Sequence, residues 1–538
     1  MKLNLCGLKD RAGWEAAGIC LPGYDVEKTA ARTKECPRWI HFGAGNIFRS
    51  YIARLQQRLL NDGKSDFGII TADTFDFEIL DKIYKPYDNL GLTVLMHPDG
   101  TLDKEVIASI SEGLKASPLE TEGWARLQEI FKCPSLQIAS FTITEKGYNL
   151  NDISGGLFPA VQEDIKNGPL LPKHSMSIVT SLLHTRFISG AMPVALVSMD
   201  NCSHNGEKLY RAVLRIARGW LDNGFVDQKF LNYLNNPSKV SFPWTMIDKI
   251  TPRPSDFVKE RLEKLGVEEM DVVCTSKKTY IAPFVNAEVP EYLVVEDRFP
   301  NGRPPLEEAG VLFSDRTTVN NSERMKVTTC LNPLHTSLAV YGCLLNFPSI
   351  ASEMQDPCLK KLVEKIGYAE GMPVVINPII LNPLTFIREV IEKRLPNPFI
   401  PDTPQRIATD TSQKLSVRFG ETIKSYRDRP DLDINTLTYI PLAIAGWCRY
   451  LLGVDDELNP MALSPDPMLK ELTDCLKEVV VGKPEEYAGQ LHTILNNQLL
   501  FGVNLYDVGL GRKIEGMFLE LIAGKHAVRD TLEKYLKD

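Results

Sequence analysis

The chain has 538 residues, of which 43% are hydrophobic and 24% charged, and it carries a net charge of −8. That length exceeds what one ordinary core holds and predicts two or three domains, while the composition is that of a soluble globular protein. The acidic balance argues against nucleic acid as the main partner, because phosphate binding needs a basic surface; a local basic pocket for a small anion remains compatible with it.

The N-terminal stretch MKLNLCGLKDRAGW contains no apolar core of signal-peptide length. The greasiest run, Ile440 to Cys448, is interrupted by Pro441 and stopped by Arg449, well short of a membrane span. Eleven cysteines occur without a C-x-x-C pair, which fits reduced thiols rather than disulfides or a zinc cluster. These features predict a cytoplasmic protein with no membrane partner.

From about residue 37, short apolar runs alternate with helical patterns. Trp39 to Phe42 reads as a strand, followed by the turn Gly43-Ala44-Gly45 and a helix, NIFRSYIARLQQRLLND, that ends near Gly63. Further strands are expected at Phe67 to Ala72, Gly91 to Met96, Leu136 to Thr144 and Val194 to Met199. Strands alternating with helices predict a mostly parallel sheet covered on both faces. After about residue 315 the strands fade. The segments beginning DPMLKEL, PEEYAGQ and GRKIEGM read as amphipathic helices punctuated by Pro or Gly. The expected architecture is an α/β protein: a Rossmann-like, mostly parallel sheet domain over residues 1–315, then a mainly α-helical domain over 316–538. The 35 or so residues before the first strand read as a helical cap.

WIHFGAGNIFRS, residues 39–50, is a strand, a Gly-x-Gly turn and a helix start, the arrangement that lets a backbone approach a pyrophosphate at a helix N-terminus. Gly43, Ala44, Gly45, Asn46 and Ile47 are the candidate cofactor cradle, although Phe48 stands where the usual third glycine would be. Arg49 has two readings, a phosphate contact or a solvated side chain. The next strand ends in TADTFD. There Asp73, with Asp76 second, is placed to accept hydrogen bonds from ribose hydroxyls and to repel a 2′-phosphate, which favours NAD over NADP. The same aspartates also suit a turn or helix cap. In VSMDNCSHNG, residues 197–206, Asp200, Asn201 and Asn205 read as turn formers or as ligand-binding groups at a strand end. His204 has no second ligand at metal-binding spacing and reads as a loop histidine.

The stretch ERMKVTTCLNPLHTSLA places Lys326, Asn332 and His335 in a mostly apolar run. On one uninterrupted helix Lys326 and His335 would lie about 180° apart. Pro333 separates them into two segments, since the residue before proline avoids helical geometry and proline itself favours the first helical position. Asn332 is then expected as an N-cap, with His335 in the first turn and Lys326 arriving from the preceding segment. Three such groups beside a nucleotide-binding domain suit oxidation of a secondary alcohol. A lysine whose pKa is lowered from about 10.4 removes the hydroxyl proton, and side-chain amides steady the alkoxide. That chemistry requires no metal.

The residues HFGAGNIFR (41–49), TITEKGY (142–148), SMDNCSHNG (198–206), MIDKITP (246–252), YLVVEDRFPNGRP (292–304), MKVTTCLNPLH (325–335) and RIATDTSQK (406–414) resemble, in that order, the polyol-specific long-chain dehydrogenases, the mannitol dehydrogenase family. The resemblance runs over about residues 37 to 520. It implies NAD-dependent, zinc-free oxidoreduction of a small sugar acid or polyol. Lys326 matches the family's general acid and base, and Asn201 and Asn332 match its oxyanion-stabilising asparagines. His335, Arg406 and Lys414 match substrate-binding positions, while Glu145 and Asp248 match acidic positions near the active site and are grouped with the cofactor side. In the mannitol enzymes the lysine precedes the asparagine by five residues, whereas six separate them here, so a bulge is expected; without it, Val327 would take the lysine's place. The form CLNPLHT is more similar to the hexuronate branch, which implies reversible reduction of D-fructuronate to D-mannonate, with Arg406, or else Lys414, gripping the carboxylate. Tagaturonate reduction, mannitol or arabinitol oxidation and a non-catalytic NAD-binding regulator are the alternatives.

Overall fold

The computed structural model describes residues 1–152 and 154–537. They divide into two compact units, Met1–Asn320 and Asn321 onward.

In the first unit six parallel strands form the main sheet: β1 (Trp39–Phe42), β2 (Ile69–Asp73), β3 (Ile110–Lys115), β4 (Ile138–Phe141), β5 (Val194–Ser198) and β6 (Val240–Ser241), in the spatial order 3-2-1-4-5-6. The order reverses beside β1, and an open α/β sheet binds ligands at such a switch point. All four residues of β1 are buried, as a strand covered on both faces requires. Ile40 and Phe42 face one core with Phe131, Leu182 and Trp220, and Trp39 faces the other with Phe48, Leu55 and Leu59. The helix Asn205–Asp222 closes the first core through Leu209, Val213, Ile216 and Trp220, spaced to form one apolar stripe.

Two departures from the expected strands have clear causes. Gly91–Met96 is a strand, but it belongs to a separate four-stranded sheet, antiparallel to Leu102–Ile107 and parallel to Phe284–Glu288. The third Rossmann strand is Ile110–Lys115, whose polar Ser111, Glu112 and Lys115 hid it from a reading based on apolar runs. The N-terminal residues form helices Arg11–Ala16 and Val26–Glu35, and between them Ile19–Cys20 adds a parallel strand to that second sheet.

The second unit is helical. Its helices Asn332–Leu344 and Tyr439–Tyr450 are buried almost all round, so they read as apolar runs instead of stripes. They pack closely: the Tyr341 hydroxyl donates to the Leu442 carbonyl at 2.7 Å, and a Cβ at Gly446 would lie 2.5 Å from the Tyr341 ring. Pro441 does not break its helix, because it sits in the first turn, where a backbone N–H has no intrahelical acceptor and its loss breaks no bond. The Glu370 carboxylate accepts the free amides of Thr438, Tyr439 and Ile440 at that helix start. The PEEYAGQ segment is not one helix: a short turn at Pro484–Glu486 precedes His492–Leu495 and Gln498–Phe501, divided by the Asn497 cap. Among the described residues no helix is long and apolar enough to cross a membrane.

Candidate active site

In the first unit the glycine turn follows β1. Gly43 has φ 114°, and a Cβ there would stand 2.2 Å from the Thr142 carbonyl oxygen, so only glycine lets the turn approach β4. A Cβ at Gly45 would meet nothing within 4 Å, and the buried Oδ1 of Asn46 has no hydrogen-bond partner. Open space at the start of a helix and at the sheet's switch point fits a dinucleotide phosphate cradle, where backbone N–H groups donate to the phosphate; Asn46 Oδ1, an acceptor, suits a hydroxyl or N–H of the same ligand. Phe48, in place of a third glycine, stacks on His41 with ring centroids 4.2 Å apart. His41 is held between Ser140 Oγ at 2.7 Å and Thr142 Oγ1 at 2.8 Å, and burial lowers its pKa to about 3.

Asp73 ends β2, and its carboxylate accepts from three backbone amides: Ala44 at 3.0 Å, Phe75 at 2.8 Å and Asp76 at 2.8 Å. It therefore ties the glycine turn to the tip of β2, with one lone-pair position left for a ligand. Burial raises its pKa against those three bonds. Asp76 accepts from Thr275 Oγ1 at 2.6 Å, while its buried Oδ1 has no partner. Arg49 meets neither phosphate nor solvent. It is buried and donates to the carbonyls of Ala282 at 2.8 Å and Pro283 at 2.9 Å.

The turns after β4 and β5 are joined by Asp200, whose carboxylate accepts from the amides of Ile143 and Thr144 and from the Tyr148 hydroxyl. This holds Thr144 at φ 63°, a conformation a β-branched residue seldom adopts. Asn205 is likewise structural, binding Thr245 through both its amide nitrogen and its oxygen. Asn201 stands exposed between them. His204 packs on Trp244 and bonds Asn320 Oδ1 at 3.2 Å. Glu145, exposed on the β4 side, pairs with Lys208 at 2.5 Å, and Asp248 is buried at the end of strand Thr245–Asp248.

In the second unit, Lys326 opens a π-helical turn, Lys326–Cys330, closed by a bond from the Leu331 amide to the Lys326 carbonyl at 3.0 Å. An i→i−5 turn holds one residue more than an α-turn, and this is how the longer spacing to Asn332 is taken up. Lys326 is 2% exposed, whereas Val327 is only half-buried, so the lysine keeps the inward position. The helix begins at Asn332 itself, and Leu331, at φ −134°, occupies the N-cap position expected of the asparagine. His335 lies one turn on; its Nε2 stands 3.6 Å from Asp402 Oδ2, too far for a hydrogen bond, and has no hydrogen-bond partner among the described residues. Burial lowers its pKa to about 4, so the imidazole is neutral at pH 7. Arg406 pairs with Asp402 and is 63% exposed. Lys414 donates to the Thr409 carbonyl, and burial with the nearby Arg418 lowers its pKa.

Residues 37–308 match the Mannitol dehydrogenase Rossmann domain and residues 318–513 the Mannitol dehydrogenase C-terminal domain. The chain belongs to the mannitol dehydrogenase family. It is 56% identical over 536 residues to the D-mannonate oxidoreductase of Thermotoga maritima, covering 99% of both chains. It is 28% identical to the D-mannonate oxidoreductase of Escherichia coli, over 84% of this chain and 86% of that one. Its fold is similar to that of Pseudomonas fluorescens mannitol 2-dehydrogenase, solved as a ternary complex with NAD and D-mannitol, at a TM-score of 0.72 and 24% identity over the whole of both chains. A substrate-free D-sorbitol dehydrogenase gives a TM-score of 0.77 at 24% identity, covering 97% of this chain and 98% of that one.

Within this member of the family, the sequence reading passed over Asp402, the carboxylate facing His335, and Arg418, whose guanidinium donates to Thr336 Oγ1 beside His335. A signal for Arg418 existed: it stands four residues after Lys414, and its amide bonds the Lys414 carbonyl at 2.9 Å, so the two cations are helical neighbours.

Proposed function

We propose that this protein is an NAD-dependent D-mannonate oxidoreductase that reversibly reduces D-fructuronate, with Lys326 as general acid and base and no metal in the step. The observation that carries this reading is the 56% identity, sustained over 99% of both chains, to a protein named D-mannonate oxidoreductase. Gly43, Ala44, Gly45, Asn46 and Ile47 are the residues to hold the pyrophosphate. Asp73 steadies that turn and offers its remaining lone pair to a ribose hydroxyl, with Asp76 Oδ1 as a second acceptor. Two carboxylates at the tip of β2 disfavour a 2′-phosphate, which supports NAD over NADP. Glu145 and Asp248 are assigned to the same cofactor side.

When bound, the reduced nicotinamide supplies hydride to the carbonyl carbon. Lys326 gives its proton to the carbonyl oxygen as the alkoxide forms, and takes it back in the reverse direction. The side-chain amides of Asn332 and Asn201 donate to that oxygen; being neutral, they add no charge that must be compensated. Asn332 suits this role because it stands at the first position of its helix, one turn before His335. His335, neutral at pH 7, orients a substrate hydroxyl through the unpartnered Nε2, and Arg406 and Lys414 make the pocket attractive to an acid. The partner is a small sugar acid, not nucleic acid or membrane, and the compartment is the cytoplasm.

The test is a panel of D-fructuronate, D-tagaturonate and D-fructose, each with NADH and NADPH, followed by the absorbance of the reduced cofactor. The highest kcat/KM is expected for fructuronate with NADH. A higher value for tagaturonate, for fructose or with NADPH would overturn the corresponding part of the assignment.

A further inference from the structure

Four cations cluster about His335 and Lys414 in the second unit. Arg394, Arg406 and Arg418 are all close enough to disfavour protonation of its ring, and Lys414 feels both Arg406 and Arg418. Three of them are already engaged. Arg406 has Asp402 as counter-ion and points largely to solvent. Lys414 gives its ammonium to the Thr409 carbonyl. Arg394 is 6% exposed and has its own interactions within the fold.

Arg418 is the exception. Among the described residues its guanidinium has one hydrogen-bond partner, the Thr336 hydroxyl, and no carboxylate within ion-pair range. Burial lowers its pKa to about 10, so the surroundings work against the charge without a counter-ion to restore it. The Arg418 segment, the π-helical turn Ser416–Gly420, packs directly against the turn Lys326–Cys330 and the helix Asn332–Leu344. Among the described residues, a guanidinium without a counter-ion is thus held on Thr336, the neighbour in sequence of His335 with its unpartnered Nε2, and packed against the segments that carry Lys326 and Asn332. A desolvated cation is costly until an anion reaches it, and it is an arrangement found at ligand sites.

The geometry points to Arg418 as the residue that grips the carboxylate of a sugar-acid substrate, with Thr336 Oγ1 fixing one arm of the guanidinium and leaving its other N–H edge for the two carboxylate oxygens. The inference rests on the reading of this enzyme as a hexuronate reductase and adds the group that recognises the acid. It also accounts for selectivity. A neutral polyol would leave Arg418 buried and uncompensated, so the residue that favours the acid disfavours the polyol. Arg406 then acts mainly on Asp402, behind His335, and only indirectly on the substrate.

The test uses the full-length enzyme with NADH and either D-fructuronate or D-fructose, comparing Arg418→Met, Arg418→Lys and Arg406→Met, with a melting curve for each. Arg418→Met is expected to raise the KM for fructuronate about a hundredfold, the weight of a two-pronged charged contact, while kcat/KM for fructose stays within about threefold. Arg406→Met is expected to raise the fructuronate KM by clearly less than Arg418→Met does, because its charge is already shared with Asp402 and screened by solvent. Equal changes for both substrates, or an unchanged fructuronate KM, would overturn the inference. Should Arg418→Met fail to fold, Arg418→Lys decides: it keeps the charge but loses the fork, so a rise of about tenfold supports the inference and no rise overturns it. If the wild type does not reduce fructuronate at all, the functional reading falls separately. The carboxylate site is then read by thermal shift with D-gluconate: stabilisation of the wild type but not of the Arg418 variants upholds the site, and any other pattern removes it.

Discussion

Gly43→Ala is the sharpest test of the cofactor cradle. The added Cβ would lie 2.2 Å from the Thr142 carbonyl oxygen, about 0.8 Å inside the 3.0 Å that real Cβ contacts respect, and the neighbour is backbone that cannot swing aside. A φ of 114° adds a strain of about 1–3 kcal/mol for any residue with a Cβ. Moving the turn away from β4 also stretches the bonds from the Gly43 amide to the Ala72 carbonyl at 2.8 Å and from the Thr142 amide to the Phe42 carbonyl at 2.9 Å. At about 1 kcal/mol for each bond, the combined cost is about 3–5 kcal/mol. Part of it falls on stability and part on the position of the helix start, so at about 1.4 kcal/mol per tenfold the NADH Kd is expected to rise at least about tenfold. Quenching of protein fluorescence by NADH gives the Kd, and a melting curve gives the stability share. An NADH Kd within about twofold of wild type, with Tm unchanged, would refute the reasoning, because neither strain nor clash would then have been felt.

Three further outcomes are expected. Lys326→Met should lower kcat by about 10²–10⁴-fold at unchanged NADH affinity, measured by steady-state rates beside the same quenching titration, and a surviving kcat would move the acid and base elsewhere. His41, neutral in the fold with a pKa of about 3 against an ordinary 6.5, makes the unfolded chain the better proton binder in between, so its contribution is complete above pH 6.5 and drains as pH falls. Between pH 7.5 and 4.5 wild type should therefore lose about 3 kcal/mol more than His41→Gln in denaturant titrations, and parallel losses would contradict this. Glu353 is fully buried, both its oxygens lack partners, and burial raises its pKa well above the usual range. Glu353→Met should stabilise the protein by about 1–3 kcal/mol, with the gain growing as pH rises; a lower Tm at pH 8 would show that the carboxyl is needed.

Several features were legible from local order alone. A strand, a tight glycine turn and a helix start occupy a dozen consecutive residues, so WIHFGAGNIFRS declared its local fold without distant partners. The same holds for the break at Pro333, which separates the segment of Lys326 from the helix that begins at Asn332. Polar residues whose partners lie far along the chain were ambiguous for the opposite reason. Arg49 could be read as a phosphate ligand because nothing near it in sequence announces the carbonyls of Ala282 and Pro283. Asp73 and Asp200 offer carboxylates at strand ends, but only folded neighbours decide that backbone amides take most of their lone pairs.

The sequence by itself thus determined the class of protein, the strand-turn-helix beginning at β1 and the candidate lysine, since these depend on residue types at short spacing. Tertiary structure decided what a single line of residues cannot. The extra residue between Lys326 and Asn332 forms a π-turn because an i→i−5 bond closes there at 3.0 Å, and α- and π-turns draw on the same residue types. Among the described residues, which of several arginines has its charge spent depends on Asp402 reaching Arg406 and no carboxylate reaching Arg418. Charge compensation is a property of neighbours in space, and the order of residues along the chain does not specify it.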